Sequence, residues 1–414
     1  MNHTEKISFS TRLSAWALTL ILCSQYLSTV LSLYIDASFF APIILGAAFL
    51  SVIALILQKE WVIRPTFVML IGVILIFAIG TQLYNPGQSS ISALDLIVMC
   101  LVPCIFGGLL KTNYELVLRY AMYLLLPGLP VFTKLFAKGN NIYADYDAVT
   151  MGTAYALLTV LAASVLHFIF FRKQSGRFTK LLYLVTLVYL AAFTVMSYRG
   201  ALVALFITAV LALAFTVKNK ARYLPALLIL APLVLLLFLN LNTVFTAVRD
   251  MLAEQNIRIA FIDKTLALGA DSNLLHGRAE IYAEALRGFL DSPVYGHGLA
   301  SFYAYTGYEF PHNFMLQFLF DGGLLLFIGM MWLLISGLTK AICVTRKTDT
   351  AKFAFLLLVA GISLSRLMVS AETWRIIAFW MMFGAVTNNS DALPEAAPSA
   401  AADRLHFPKE GNAF

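Results

Sequence analysis

The chain has 414 residues, 60% of them hydrophobic and 12% charged, and its mean hydropathy is +0.83. Soluble domains carry about 25% charged residues, so a water-soluble globule is excluded. A formal charge of +7 and a pI near 9.1 would suit nucleic acid in a soluble protein. Here the basic residues fall mostly between apolar runs, where they act as topology signals, and no nucleic-acid partner is expected.

The apolar runs approach the about 20 residues that a helix needs to cross the hydrocarbon core, whereas membrane strands would alternate with a period of two. Lys6 and Arg12 precede the first run, 13–34, which is too long for the core of a signal peptide and lacks a small-residue cleavage site. Further spans are predicted at 39–57, 67–83, 91–110, 117–136, 151–171, 181–196, 201–217, 223–241, 314–338, 353–368 and 374–386. The predicted fold is all-α, a polytopic integral membrane protein of about twelve transmembrane helices.

With the N-terminus in the cytoplasm, the basic clusters within 59–64, 111–119, 172–180, 218–222 and 340–352 fall in short cytoplasmic loops, as the positive-inside bias requires. Both termini are then cytoplasmic. Residues 1–241 hold helices one to nine, 242–313 form a partly helical loop on the outer face, 314–387 hold helices ten to twelve, and 388–414 form a loose polar tail. Cys23, Cys100, Cys104 and Cys343 lie in or beside apolar runs, where packing is their expected role.

A loop of some seventy residues in the 242–313 segment is the natural place for chemistry, because long loops without function are uncommon. From His276 to Leu290 it carries Ile281, Ala285 and Phe289 at helical spacing, with Arg278 in the first turn; Asp291 to Pro293 ends the helix, and Val294 to Leu299 is a glycine-flanked turn. Pro311 suits a helix start, which puts His312 and Asn313 at the N-terminal end of the next span. There the helix dipole opposes positive charge and favours a neutral imidazole able to take a proton from a hydroxyl. The plain alternative is an interfacial histidine bonded to a loop carbonyl.

Arg199 ends an apolar run at the outer face, where the topology bias disfavours arginine. Its guanidinium either grips a phosphate bidentately or snorkels to lipid headgroups. Arg366 and Arg375 flank the last outer turn and raise the same question, with Glu372 between them as an ion-pair partner. His276, His297, His312, Asp271, Asp291 and Glu309 follow no metal-ligand spacing, so no metal is expected. Without a phosphate-binding glycine loop, nucleophile elbow or dinucleotide fingerprint, no cofactor or ATP-driven step is expected either.

Four segments in this order, MGTAYALL from Met151, SYRGALVALF from Ser197, HGRAEIYAEALRGFLDSPVYGHG from His276 and HNFMLQFLFDGGLLLFIG from His312, resemble the O-antigen ligase and polymerase superfamily of bacterial envelope glycosyltransferases. The resemblance runs from about Met151 to Gly384. It implies an inner-membrane enzyme with a large periplasmic loop between the ninth and tenth helices. Such an enzyme transfers a polysaccharide from an undecaprenyl diphosphate carrier to a sugar hydroxyl of lipid A-core on the periplasmic face, without metal or ATP and with inversion. Carried onto this chain, it implies that Arg199 and Arg278 hold the diphosphate and that His312 is the general base. Asn313, His297, Arg366, Glu372 and Arg375 are candidate supporting residues, and what orients His312 stays open.

A polymerase of the same superfamily would use a second carrier-linked chain as acceptor, and a relative that glycosylates proteins would use a protein. Twelve spans also suit a polysaccharide flippase or secondary transporter. Transporters, however, gather charges and broken helices near the bilayer midplane, whereas the suspicious residues here gather on one outer face. Self-association is not legible in the sequence.

Overall fold

The computed structural model describes residues 8–32, 34–35, 38–59, 61–84, 87–128, 146–196, 199–216, 241–254, 266, 278–368 and 371–388. Every regular element among the described residues is helical. Ser8 opens α1 (Phe9–Leu22) by accepting the Thr11 amide, and the chain then bends by 65° at Cys23 into α2 (Ser24–Ser32). The expected first span is therefore broken. The Ser24 hydroxyl takes up the Ile21 carbonyl that the bend exposes.

Two unbroken spans follow, α3 (Phe40–Gln58) and α4 (Pro65–Tyr84). They expose Phe49, Ile56, Ile76 and Leu83, an apolar outer surface suited to lipid tails. The run expected at 91–110 is composite: α5 (Ala93–Leu96), a π-helical turn (Ile97–Leu101) and α6 (Val102–Leu109). The widened turn coincides with Pro103, which lacks an amide hydrogen and crowds the carbonyl four residues back. Asn113 caps α7 (Tyr114–Tyr123), and α8 (Tyr146–Phe171), α9 (Arg177–Met196), α10 (Arg199–Thr216) and α11 (Leu241–Ala253) come next. Then come α12 (Arg278–Asp291), α13 (Phe302–Thr306), α14 (Phe314–Thr348), α15 (Thr350–Leu367), a 3-10 turn (Thr373–Arg375) and α16 (Ile377–Thr387).

Among the described residues five helices are long and apolar enough to cross a membrane, or six if α1 and α2 form one span, and shorter apolar helices stand at Ala93–Leu109, Gly200–Thr216 and Ile377–Thr387. The chain is a multi-pass membrane protein. The expected ninth span at 223–241, apart from Leu241 at the start of α11, lies outside the described residues. So do almost all of 255–277 and the tail from 389 onward.

The centre is α16, buried along its whole length against α6. Gly107, Gly108 and Gly384 let the two backbones approach, and a Cβ on Gly107 would meet the Met381 carbonyl at 2.6 Å. Around this pair α8, α10 and α15 pack together, with Phe215 of α10 edge-on to Phe353 of α15 and Thr208 beneath Gly361. Those two contacts make α10 and α15 antiparallel. The first residue of α10, Arg199, therefore lies at the same end of the bundle as Arg366 near the end of α15.

Candidate active site at a broken helix

At 35 residues, α14 would be about 52 Å long as a straight helix, well beyond a hydrocarbon core of about 30 Å. It breaks at Gly323, whose φ of 60° and ψ of −157° are open to glycine and strained for other residues. The break frees backbone groups, and the turn after α12 takes them up. The His297 and Gly298 amides donate to the Phe320 and Asp321 carbonyls at 2.9 and 2.8 Å, and the Leu324 amide donates to the Pro293 carbonyl at 2.8 Å. The turn fits only because Gly296 has a φ of +67° and no side chain, since a Cβ there would sit 2.5 Å from the Phe320 carbonyl oxygen. Farther along, the Leu299 amide donates to the Thr81 hydroxyl at 2.7 Å and the Ser90 amide to the Ala300 carbonyl at 2.9 Å, which ties the loop to α4 and to the start of α5.

This clasp holds α12 against the first turns of α14. Ala285, Phe302 and Phe320 form a small apolar cluster there with Ile281 and Leu316, and the Phe320 ring fills the space above Gly288. Phe289, expected on the buried face, is only half-buried, and Gly288 takes its place because the ring needs a flat surface. At the mouth of this contact stands His312, with a left-handed φ of 56° and its ring against Phe310 at 4.3 Å. Its Nδ1 is buried and has no hydrogen-bond partner among the described residues. Burial first, and then the positive charge of Arg278, push its pKa down from 6.5 to about 4, so the imidazole is neutral at neutral pH. Asn313 caps α14, its Oδ1 accepting the Met315 and Leu316 amides at 2.9 and 3.3 Å.

Below His312 the same helix holds the segment 371–376. The Gln317 Oε1 accepts the Thr373 amide at 2.8 Å, and the fully buried Asp321 accepts the Trp374 indole N–H at 2.6 Å. Trp374 stacks on Trp380, whose N–H donates to the Thr373 carbonyl. So fixed, the segment presents Glu372 and Arg375, paired at 3.2 Å, with the Ser90 hydroxyl on the other Glu372 oxygen at 3.3 Å. Burial raises the Glu372 pKa, and the Arg375 charge opposes that rise. Arg366, Glu372 and Arg375 line a cavity of about 550 Å³, with Tyr155, Gln25 and Phe310 also on its wall.

Residues 184–331 match the family model described as O-antigen ligase. This match, over about a third of the chain, supports membership of the O-antigen ligase and polymerase superfamily. No curated protein matches the chain.

The matched stretch contains Arg199, Arg278, His297, His312 and Asn313, whereas Arg366, Glu372 and Arg375 lie beyond it. Among the matched residues, Arg278 acts electrostatically on His312, and Asn313 has a capping role. His297 bonds the Gly288 carbonyl through Nε2 at 2.8 Å and packs against both Tyr305 and Phe320, an arrangement that braces the clasp. Arg199 begins α10, and its side chain lies outside the described residues. Sequence reasoning missed Gln317 and Asp321, polar residues one turn apart on what reads as an apolar span. A buried carboxylate in a membrane helix next to paired glycines is the signal that would have found them.

Proposed function

We propose that the chain is a lipid-carrier-dependent glycosyltransferase. It moves O-antigen polysaccharide from undecaprenyl diphosphate to a sugar hydroxyl of lipid A-core at the periplasmic face of the bacterial inner membrane. The observation that carries this reading is the neutral His312 imidazole, with a buried, unpartnered Nδ1, under the influence of the Arg278 guanidinium. A base that is to take a hydroxyl proton must be unprotonated, and a departing diphosphate needs fixed positive charge beside it.

In this mechanism the acceptor hydroxyl gives its proton to His312 while its oxygen attacks the anomeric carbon. The bond from that carbon to the carrier phosphate breaks, the electron pair leaves with the diphosphate oxygen, and Arg278, with Arg199 as its proposed companion, compensates the charge. A single displacement inverts the anomeric centre. The diphosphate is already a leaving group, so ATP has no part in the step. Holding donor and acceptor in line beside His312 is the remaining contribution of the clasped helix.

The test is transfer by purified protein in liposomes that contain carrier-linked polysaccharide and lipid A-core. His312→Ala should abolish polymer attached to lipid A-core, and Arg278→Ala should reduce it. Undiminished transfer by His312→Ala would remove the proposed base. Elongation of a second carrier-linked chain, with lipid A-core left bare, would make the protein a polymerase instead.

A further inference from the structure

Arg366 carries a charge that the described protein leaves without a counter-charge. Its guanidinium lies 4.4 Å from the centre of the Tyr155 ring, and one Nη donates weakly to the neutral Gln25 amide at 3.4 Å. Its Nε is buried without a partner, and it forms no ion pair among the described residues. The buried carboxylate on the same cavity wall, Glu372, is taken by Arg375 and Ser90; Glu309, also on that wall, is exposed. An arginine kept within the bundle without an anion is costly, and a planar guanidinium stacked on a phenol ring is set up for a two-oxygen anion. The cavity it faces continues along Leu22, Met99, Leu158 and Ile362, an apolar wall with room for hydrocarbon.

We propose that this cavity is a lipid-phosphate site, in which Arg366 grips a phosphate and the apolar wall takes the first part of the attached chain. Its two candidate sources, the polyprenyl diphosphate donor and the phosphorylated glycolipid acceptor, rest on the transfer reading above; the anion site itself does not. Phe310, which lines the cavity and whose ring packs at a tilt against His312, makes the site a neighbour of the proposed reacting centre. The site therefore holds a substrate by its phosphate while the chemistry proceeds at His312.

The experiment measures binding without turnover, in phosphate-free maltoside micelles, to full-length protein and its Arg366→Gln and Arg366→Lys variants. The probes are undecaprenyl diphosphate, lipid A, and undecaprenol as the phosphate-free control. Loss of charge-assisted hydrogen bonds should weaken a phosphate probe by about tenfold or more in Arg366→Gln and less in Arg366→Lys, with undecaprenol unchanged. Weakening confined to undecaprenyl diphosphate identifies the donor, and weakening confined to lipid A identifies the acceptor. Unchanged affinity for both overturns the proposal.

A second measurement needs no variant. A polyprenyl diphosphate and a lipid A analogue, each with a diazirine near the phosphate, should between them label Tyr155, Leu158 or Ile362 of the native protein, in competition with inorganic pyrophosphate. Labelling that avoids all three with both analogues overturns the proposal as well. Because no transfer is involved, an inactive or misassigned His312 leaves both results standing.

Discussion

Gly296→Ala tests whether the clasp through the break of α14 is what holds the loop. The added methyl would lie 2.5 Å from the Phe320 carbonyl oxygen, the Asp321 carbonyl carbon and the Gly322 nitrogen, all backbone atoms without freedom to turn aside. The turn must withdraw, and with it go the hydrogen bonds from His297 and Gly298 to α14. Two backbone bonds at about 1 kcal/mol each, with about 1 kcal/mol for alanine at positive φ, amount to about 3 kcal/mol. Gly307→Ala is the matched control: its φ is +79°, yet a Cβ there meets nothing within 4 Å, so only the conformational cost of about 1 kcal/mol remains. The assay is amide hydrogen exchange over 293–300 in reconstituted protein, with thermal melting and transfer in parallel. Gly296→Ala should speed exchange there by about a hundredfold and depress transfer, and Gly307→Ala should do neither. Equal behaviour of the two variants would refute the clasp.

His312 sets the pH response. Its imidazole stays neutral down to about pH 4 instead of 6.5, so kcat/KM for transfer should hold through pH 6 and fall on an acid limb near 4. Arg278→Ala, which removes the smaller of the two influences, should move that limb upward but short of 6.5; a wild-type limb at 6.5 contradicts the burial of the base. For stability, the unfolded imidazole takes up a proton near 6.5 and the folded one only near 4. The contribution of this group is therefore complete above pH 6.5 and is lost as pH falls from 6.5 to 4. Asp321→Ala leaves the Trp374 N–H buried without an acceptor and should destabilise by about 2 kcal/mol. In a melting series with Trp374→Phe, the double variant should cost clearly less than the two singles together, and strict additivity would deny the bond. Arg375→Ala, which strands the buried Glu372 carboxylate, should lower the melting temperature more than Glu372→Gln, and the reverse order would show that the pair is not what holds the segment 371–376.

The architecture at the level of helices was legible in the sequence, because the hydrocarbon core of a bilayer rewards long apolar runs and punishes unpaired backbone, and both properties are local. Composition and run length alone yielded an all-helical, multi-pass chain. Local turn chemistry also located the glycine-flanked turn at 294–299, the end of α12 at Asp291 and the start of α14 just after His312 and Asn313. What the runs could not reveal was where spans break. Cys23 and Gly323 sit inside apolar stretches, and a break there is tolerated only when something distant, the turn at 293–298 in the second case, takes up the freed amides and carbonyls.

The candidate site divides the same way. His312 was singled out by residue type and position and Arg278 through the family resemblance, but their mutual influence arises from α12 packing on α14 through Ala285, Gly288 and Phe320. The partners of Gln317 and Asp321 lie in the segment 371–376, and the isolation of Arg366 depends on what faces it from α2 and α8. Hydropathy and dihedral preference belong to neighbouring residues, and so the sequence by itself determined the all-helical class, some of the helix ends and the residue types able to do chemistry. Which buried polar group finds a partner, and which is left to bind a ligand, depends on surfaces far apart in the chain, and only the tertiary structure decided it.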